Sequence, residues 1–125
     1  MKISIICCFN HPAEYEQHVE DYFNRNIYEN NVEVIGINNV HGEFTAPQAL
    51  NIGLDKAKNN ILVFCHQDVI FPEGWPEKVK EQIEAIEKVD DQWGVLGLMG
   101  VRSNGFMAGH IIDPHTNTRV GDIPC

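Results

Sequence analysis

Hydrophobic positions change period repeatedly along this chain, and each change predicts an element. Lys2 to Phe9 is almost continuously apolar, as expected of a central strand covered on both faces. From Pro12 to about Arg25 the spacing becomes three and four, with Tyr15, Val19, Tyr22 and Phe23 on one side, which predicts a helix opened by proline. Val32 to Ile37 alternates again and ends at Asn38-Asn39, a second strand entered from the turn at Asn30-Asn31. Thr45-Ala-Pro-Gln48 has the form of a capping box, so a helix is expected from there to about Lys58 with Leu50 and Leu54 buried. After Asn59-Asn60, Ile61-Leu-Val-Phe-Cys65 reads as a buried third strand that runs straight into the polar triplet His66-Gln67-Asp68. Pro76 starts a charged amphipathic helix with Val79, Ile83, Ile86 and Val89 toward the core. Trp93 to Met99 predicts a fourth strand, Asn104-Gly105 a turn into Phe106 to Ile112, and Asp113 to Asn117 a further turn.

Strands alternating with helices imply one α/β domain over residues 1–125, with a mostly parallel central sheet between helix layers in a three-layer, Rossmann-like sandwich. Parallel strands point the same way, so Asn10, Asn38, Asn39, His66, Gln67 and Asp68 converge on one sheet edge, where ligands of open α/β sheets sit. Asp68, with His66 two positions earlier on the same side of the pleat, offers oxygen and imidazole for a divalent cation. An aspartate capping an ordinary turn fits the same triplet.

Hydrophobic residues make up 43% and charged residues 22%, which argues against disorder. No apolar run is long enough to span a membrane. The polar Asn10-His11-Pro12 after the first apolar run lacks a small-residue cleavage site, so that run reads as a strand and a cytoplasmic location is expected. Cys7, Cys8 and Cys65 lie in predicted strands without C-x-x-C spacing and are expected to be reduced. A net charge of −9 argues against nucleic acid as a partner. It also requires that a bound phosphate ester be neutralised by a metal ion or helix N-termini. The sequence has no Gly-x-Gly-x-x-Gly after the first strand, no phosphate-binding P-loop and no nucleophile elbow. Cys8 sits where a nucleophile could, though a buried structural thiol fits its surroundings better. His110, after Gly105 to Gly109, is a further candidate metal ligand.

The order of Cys8-Phe9-Asn10, then Asn38-Asn39, then Ala49-Leu-Asn51-Ile-Gly53-Leu-Asp-Lys-Ala57, then Ile61 to Asp68 with Pro72 and Trp75 resembles a family 2 glycosyltransferase of the GT-A fold. His-Gln-Asp stands where that family usually has Asp-x-Asp, and the span from Ala49 to Trp75 is the specific part of the likeness. The resemblance implies that Cys8, Phe9 and Asn10 line the base and ribose of a nucleoside diphosphate sugar. Asn38 or Asn39 would replace the acidic residue that normally reads the uracil or ribose. Gln67 and Asp68 would meet the ribose and a metal bridging the diphosphate, with Asp68 the ligand. His66 would hydrogen-bond the nucleotide or ligate the ion, and the hard oxygen preference of Mg2+ or Mn2+ favours the first.

The catalytic base for an acceptor hydroxyl is not assigned. In the family it lies well beyond the metal motif, and Asp113 and Asp122 are the only late candidates, Asp113-Pro114 reading better as a turn. The expectation is therefore a GT-A-like domain truncated at its C-terminus, whose interrupted sheet favours self-association. The alternative is a nucleotide-binding or interaction module on the same scaffold without turnover.

Overall fold

Five consecutive residues, Ile3 to Cys7, are buried, so their peptide groups must be satisfied by neighbours in the plane of a sheet. In the computed structural model, which describes residues 1–24, 31–109, 111–113 and 118–120, β1 (Ile3–Phe9) lies between β2 (Val32–Asn38) and β3 (Ile61–Cys65). Both pairings are parallel, with Ile3 opposite Val32 and Ile61, and Phe9 opposite Asn38. The fold is α/β with a small, open, parallel three-stranded sheet. The chain divides into two compact units, Met1–Gln82, which holds this sheet, and Ile83–Cys125.

Alternation along β1 sends its side chains into two separate cores. Ile3, Ile5 and Cys7 pack with Tyr15, Val19, Tyr22, Phe23 and Phe71 on one face. These come from α1 (Pro12–Tyr15), a π-helical turn (Glu16–Glu20) and α2 (Asp21–Phe23), which follow one another without a break, and from the loop after β3. On the other face Ile6 packs with Ile35, Ile37 and Ala49 beneath α3 (Ala46–Lys56). The capping box forms at Thr45, whose backbone N–H and hydroxyl both donate to Gln48 Oε1 at 2.9 Å.

Two glycines set how closely the layers approach. A Cβ on Gly53 would collide with the Ile6 methyl, so α3 meets the sheet through Ala49 and Gly53, two small residues and the buried ones of the helix. That close seat rotates Leu54 outward to 41% exposure, against the expectation that it is buried, while Leu50 packs partly buried at the flank. On β2, a Cβ at Gly36 would lie 2.6 Å from Tyr15 Cζ and 3.0 Å from Phe9 Cε1.

At the amino end of the sheet a polar network replaces apolar packing. The buried Ser4 hydroxyl donates to Glu33 Oε2 at 2.8 Å, and the same oxygen accepts from the Lys58 backbone at 3.0 Å. Asn59 Nδ2 donates to the Ile3 carbonyl and the Ser4 hydroxyl, tying the α3–β3 connection to β1. These donors, the Lys58 amide first and Ser4 next, hold the Glu33 carboxyl below its ordinary value of 4.5.

Four expectations need correction. β3 is an edge strand among the described residues, half-buried, with Phe64 50% exposed. The reason is that α3 packs across β1 and β2, leaving that face of β3 uncovered. α4 (Trp75–Glu87) ends before Val89, which is 90% exposed. Trp93 to Met99 does not form a parallel strand. The strand there is β4 (Met99–Val101), paired antiparallel with β5 (Met107–Gly109) around the Arg102 to Phe106 turn, where Gly105 takes φ +83°. Glycines at 94, 97 and 100 weaken an extended run, and the Asn-Gly turn captures its end as a hairpin. Asp113 lies at the end of β6 (Ile111–Asp113), paired with β7 (Thr118–Val120), and residues 114–117 of the expected turn fall outside the described residues.

Gly36→Ala should destabilise the chain by about 1–3 kcal/mol, since the added methyl meets the buried Tyr15 ring. Gly94→Ala, where nothing lies within 4 Å, serves as the control in thermal unfolding. Equal melting temperatures for the two variants would show that Tyr15 yields.

Candidate functional site

The carboxyl ends of β1 and β3 are joined by one side chain. Gln67 Oε1 accepts from the backbone N–H of Asn10 at 2.8 Å and of His11 at 3.0 Å. Its Nε2 donates to Asn10 Oδ1 at 3.0 Å and to Glu14 Oε2 at 3.2 Å. An amide has two acceptor and two donor directions, and all four are matched here. Gln67 thus ties the end of β3 to the end of β1 and fixes the entry into α1, whose N-cap His11 has no side-chain cap of its own. The resemblance assigned this side chain to the ribose; its hydrogen bonds are made within the protein.

Asn38 and Asn39 follow the same strand yet face opposite ways, as the pleat requires. Asn39 reaches the α3 side, where Nδ2 donates to the Phe44 carbonyl at 2.8 Å and Oδ1 accepts from Phe44 N–H at 3.0 Å. That pair of bonds closes the 39–44 loop, and Gly42 makes its turn at φ +66°. Asn38 is exposed, in register with Phe9, and its Oδ1 accepts from Val40 N–H at 3.0 Å.

Phe9 is half-buried and stacks on Tyr15, centroids 4.1 Å apart at 7°. Tyr15 is itself buried, which pushes its hydroxyl pKa well up and keeps it neutral. Cys8 lies on the opposite side of the strand, half-buried, and burial raises its thiol, so a thiolate nucleophile is disfavoured. Cys7 and Cys65 face each other across β1 and β3. The hydrogen bond with Cys7, and burial after it, raise the Cys65 thiol. Cys7, Cys8 and Cys65 are all free, as expected, and Cys125 lies outside the described residues.

Beyond Gln67, His66 and Asp68 are both exposed, in a turn closed by Val69 N–H to the His66 carbonyl at 3.4 Å. The loop that follows is anchored by aromatic packing. Phe71 sits 4.8 Å from Phe23 and 4.9 Å from Trp75, and the Tyr22 hydroxyl donates to the Pro72 carbonyl at 2.6 Å. Asp68 is therefore held between the Gln67 bridge and a fixed aromatic anchor.

The rim unites Phe9, Asn10, Asn38, His66, Gln67 and Asp68 from three strand ends, and turns Cys8 and Asn39 to the other face. Glu14 and Tyr22 were missed by sequence reasoning, because their partners lie more than forty residues away and no local pattern announces them. His110 and Asp122 lie outside the described residues. Among the described residues no group of three or more His, Cys, Asp or Glu could hold a metal ion. A concavity of about 320 Å³ lies at the opposite, amino-terminal edge, lined by Met1, Lys2, Lys58 and Asn59 to Ile61, and its Lys58 already pairs with Glu33 at 3.3 Å. No described helix is long and apolar enough to cross a membrane.

No family model matches the chain. It is similar to a protein described as "ATP synthase subunits region ORF 6" from Fuscovulum blasticum, 26% identical over 133 aligned positions that take in all of this chain and 53% of the relative. The chain thus spans about half the length of the curated relative it matches.

Gln67→Glu keeps the oxygen that accepts from Asn10 and His11 but sets a second carboxylate against Glu14 across a 3.2 Å contact. The variant should be less stable than wild type at pH 7 and recover part of the loss toward pH 5, where one of the two carboxyls takes a proton. Melting curves at the two pH values test this; an undiminished stability at pH 7 would mean that the bridge does not hold the ends of β1 and β3 together.

Proposed function

We propose that the carboxyl edge of this sheet binds a nucleoside diphosphate sugar together with Mn2+ or Mg2+, and that the chain is the donor-binding part of a family 2 glycosyltransferase of the GT-A type. The observation that carries the reading is the arrangement at the rim: an exposed Asp68 held beside the Gln67 bridge between the ends of β1 and β3, with Phe9 and Asn38 adjacent in register at the next strand end.

The residues present suit the metal in one particular mode. Mg2+ and Mn2+ sites in nucleotide enzymes commonly use one or two carboxylates, several waters and the substrate's own phosphates. The exposed Asp68 carboxylate is the ligand this chain would contribute in that mode, in which the ion is held jointly with the diphosphate. When bound, such an ion acts as a Lewis acid on the diphosphate leaving group. It also reconciles a chain of net charge −9 with an anionic ligand.

The chain's own residues supply position. Asp68 offers the carboxylate, and the Gln67 bridge and the Tyr22–Pro72 anchor keep it from moving relative to β1. Phe9 offers an apolar surface for a base, braced from behind by Tyr15. His66, exposed beside Asp68, offers an imidazole for hydrogen bonding to the nucleotide.

Metal and nucleotide should bind interdependently. Mn2+ alone should leave the melting temperature unchanged, whereas a nucleoside diphosphate at a hundredfold excess over its Kd, with Mn2+, should add about 2.7 kcal/mol of stability. Asp68→Asn should abolish the metal-dependent part with the unliganded melting temperature intact. Equal shifts in chelator and in Mn2+, or no shift with any nucleotide, would sink the proposal.

A further inference from the structure

We propose that the open edge of β3 is a docking surface for a second copy of this chain, the two β3 strands pairing antiparallel about a two-fold axis at Val63. The inference is independent of the donor site proposed above. Among the described residues β3 has a strand on one side only, so the peptide groups of its outer edge meet no neighbour in the sheet. Edges of that kind are ordinarily guarded by charges, prolines or bulges. Ile61-Leu-Val-Phe-Cys65 has no charged residue and no proline, and its register against β1 is unbroken. β2, the other edge strand, is guarded by Glu33, which is tied to Ser4 and Lys58.

Self-complementarity selects a copy of the chain over another occupant. A two-fold axis at Val63 is the antiparallel register that pairs every residue of β3 with one of its counterpart. It sets Phe64, 50% exposed, opposite the partner's Leu62 on the face that α3 leaves uncovered, and Leu62 opposite the partner's Phe64. An aromatic ring beside an aliphatic side chain is a favourable cross-strand pair. Ile61, Val63 and Cys65 face the aromatic core in each copy, so the joined sheet keeps like faces together. Continued past the strand ends, the same register sends the exposed Lys58 toward the partner's Asp68 at both ends of the contact. Opposite charges thus meet between two chains that each carry a net charge of −9. A five-residue edge is a small contact beside the ~1,600 Å² of a standard interface, so the dimer dissociates on dilution.

The test is sedimentation velocity over a concentration series on wild type, Phe64→Lys and Lys58→Glu, with circular dichroism to establish that each variant folds. Wild type should pass from monomer to dimer as concentration rises. Phe64→Lys, which sets a charge against the partner's Leu62, should stay monomeric throughout. Lys58→Glu should raise the dissociation constant about fivefold, the size of a good exposed ion pair. Carbodiimide crosslinking of wild type, mixed from light and heavy nitrogen-labelled chains, keeps the test decisive if Phe64→Lys does not fold: Lys58 should be joined to the partner's Asp68 in peptides of mixed isotope. A monomer at every concentration, a dimer that folded Phe64→Lys leaves intact, or mixed-isotope crosslinks that join other segments instead would overturn the proposal.

Discussion

β1 is the constraint on which the sheet-bearing unit depends. A strand buried on both faces is cut off from water above and below, so its peptide groups must be paired along both edges. β2 and β3 supply those edges, and because both run parallel to β1 their carboxyl ends open at the same rim. Burial of five residues therefore decides where the chemistry can be. The two separate cores, one aromatic beneath α1 and α2 and one aliphatic beneath α3, follow from the same alternation.

At the rim, side chains divide between those that shape and those left to act. Gln67 and Asn39 have their amides matched by protein groups, and their loss would alter the seat of β3 against the entry to α1 or the 39–44 loop before it altered any contact with a ligand. Asp68, His66 and the Nδ2 of Asn38 face outward. The division has a physical origin in the pleat: neighbours in sequence leave a strand end on opposite faces, so one member of each polar pair turns toward an adjacent helix or loop and is bonded there. A polar triplet such as His-Gln-Asp can thus combine one structural residue with two exposed ones.

Most of the sheet was legible in the sequence, because an unbroken apolar run, an alternating run and a capping box are local signals. β1, β2, β3 and α3 fall close to their expected bounds. What was not legible depended on distance. Leu54 turns outward because Gly53 lets α3 settle onto Ile6, a contact between residues far apart in sequence. Phe64 is half-exposed because of where α3 lies, which no property of β3 itself records. At the site, convergence of the strand ends could be anticipated from topology, while the assignment of Gln67 to a bridge required the positions of Asn10, His11 and Glu14. The segment from Trp93 misled because its apolar residues suit a strand while its glycines and the Asn104-Gly105 turn favour a short hairpin.

The proposal that three strand ends form one metal-dependent nucleotide site is tested most directly by the paramagnetism of Mn2+. Amide NMR spectra of the chain would be recorded with substoichiometric Mn2+, with and without a nucleoside diphosphate. The expected result is broadening centred on Asp68 that reaches Asn10 and Asn38 and appears only when nucleotide is present. Broadening that is indifferent to nucleotide, or that centres on the acidic face of α4 at Glu77, Glu81 and Glu84, would contradict it.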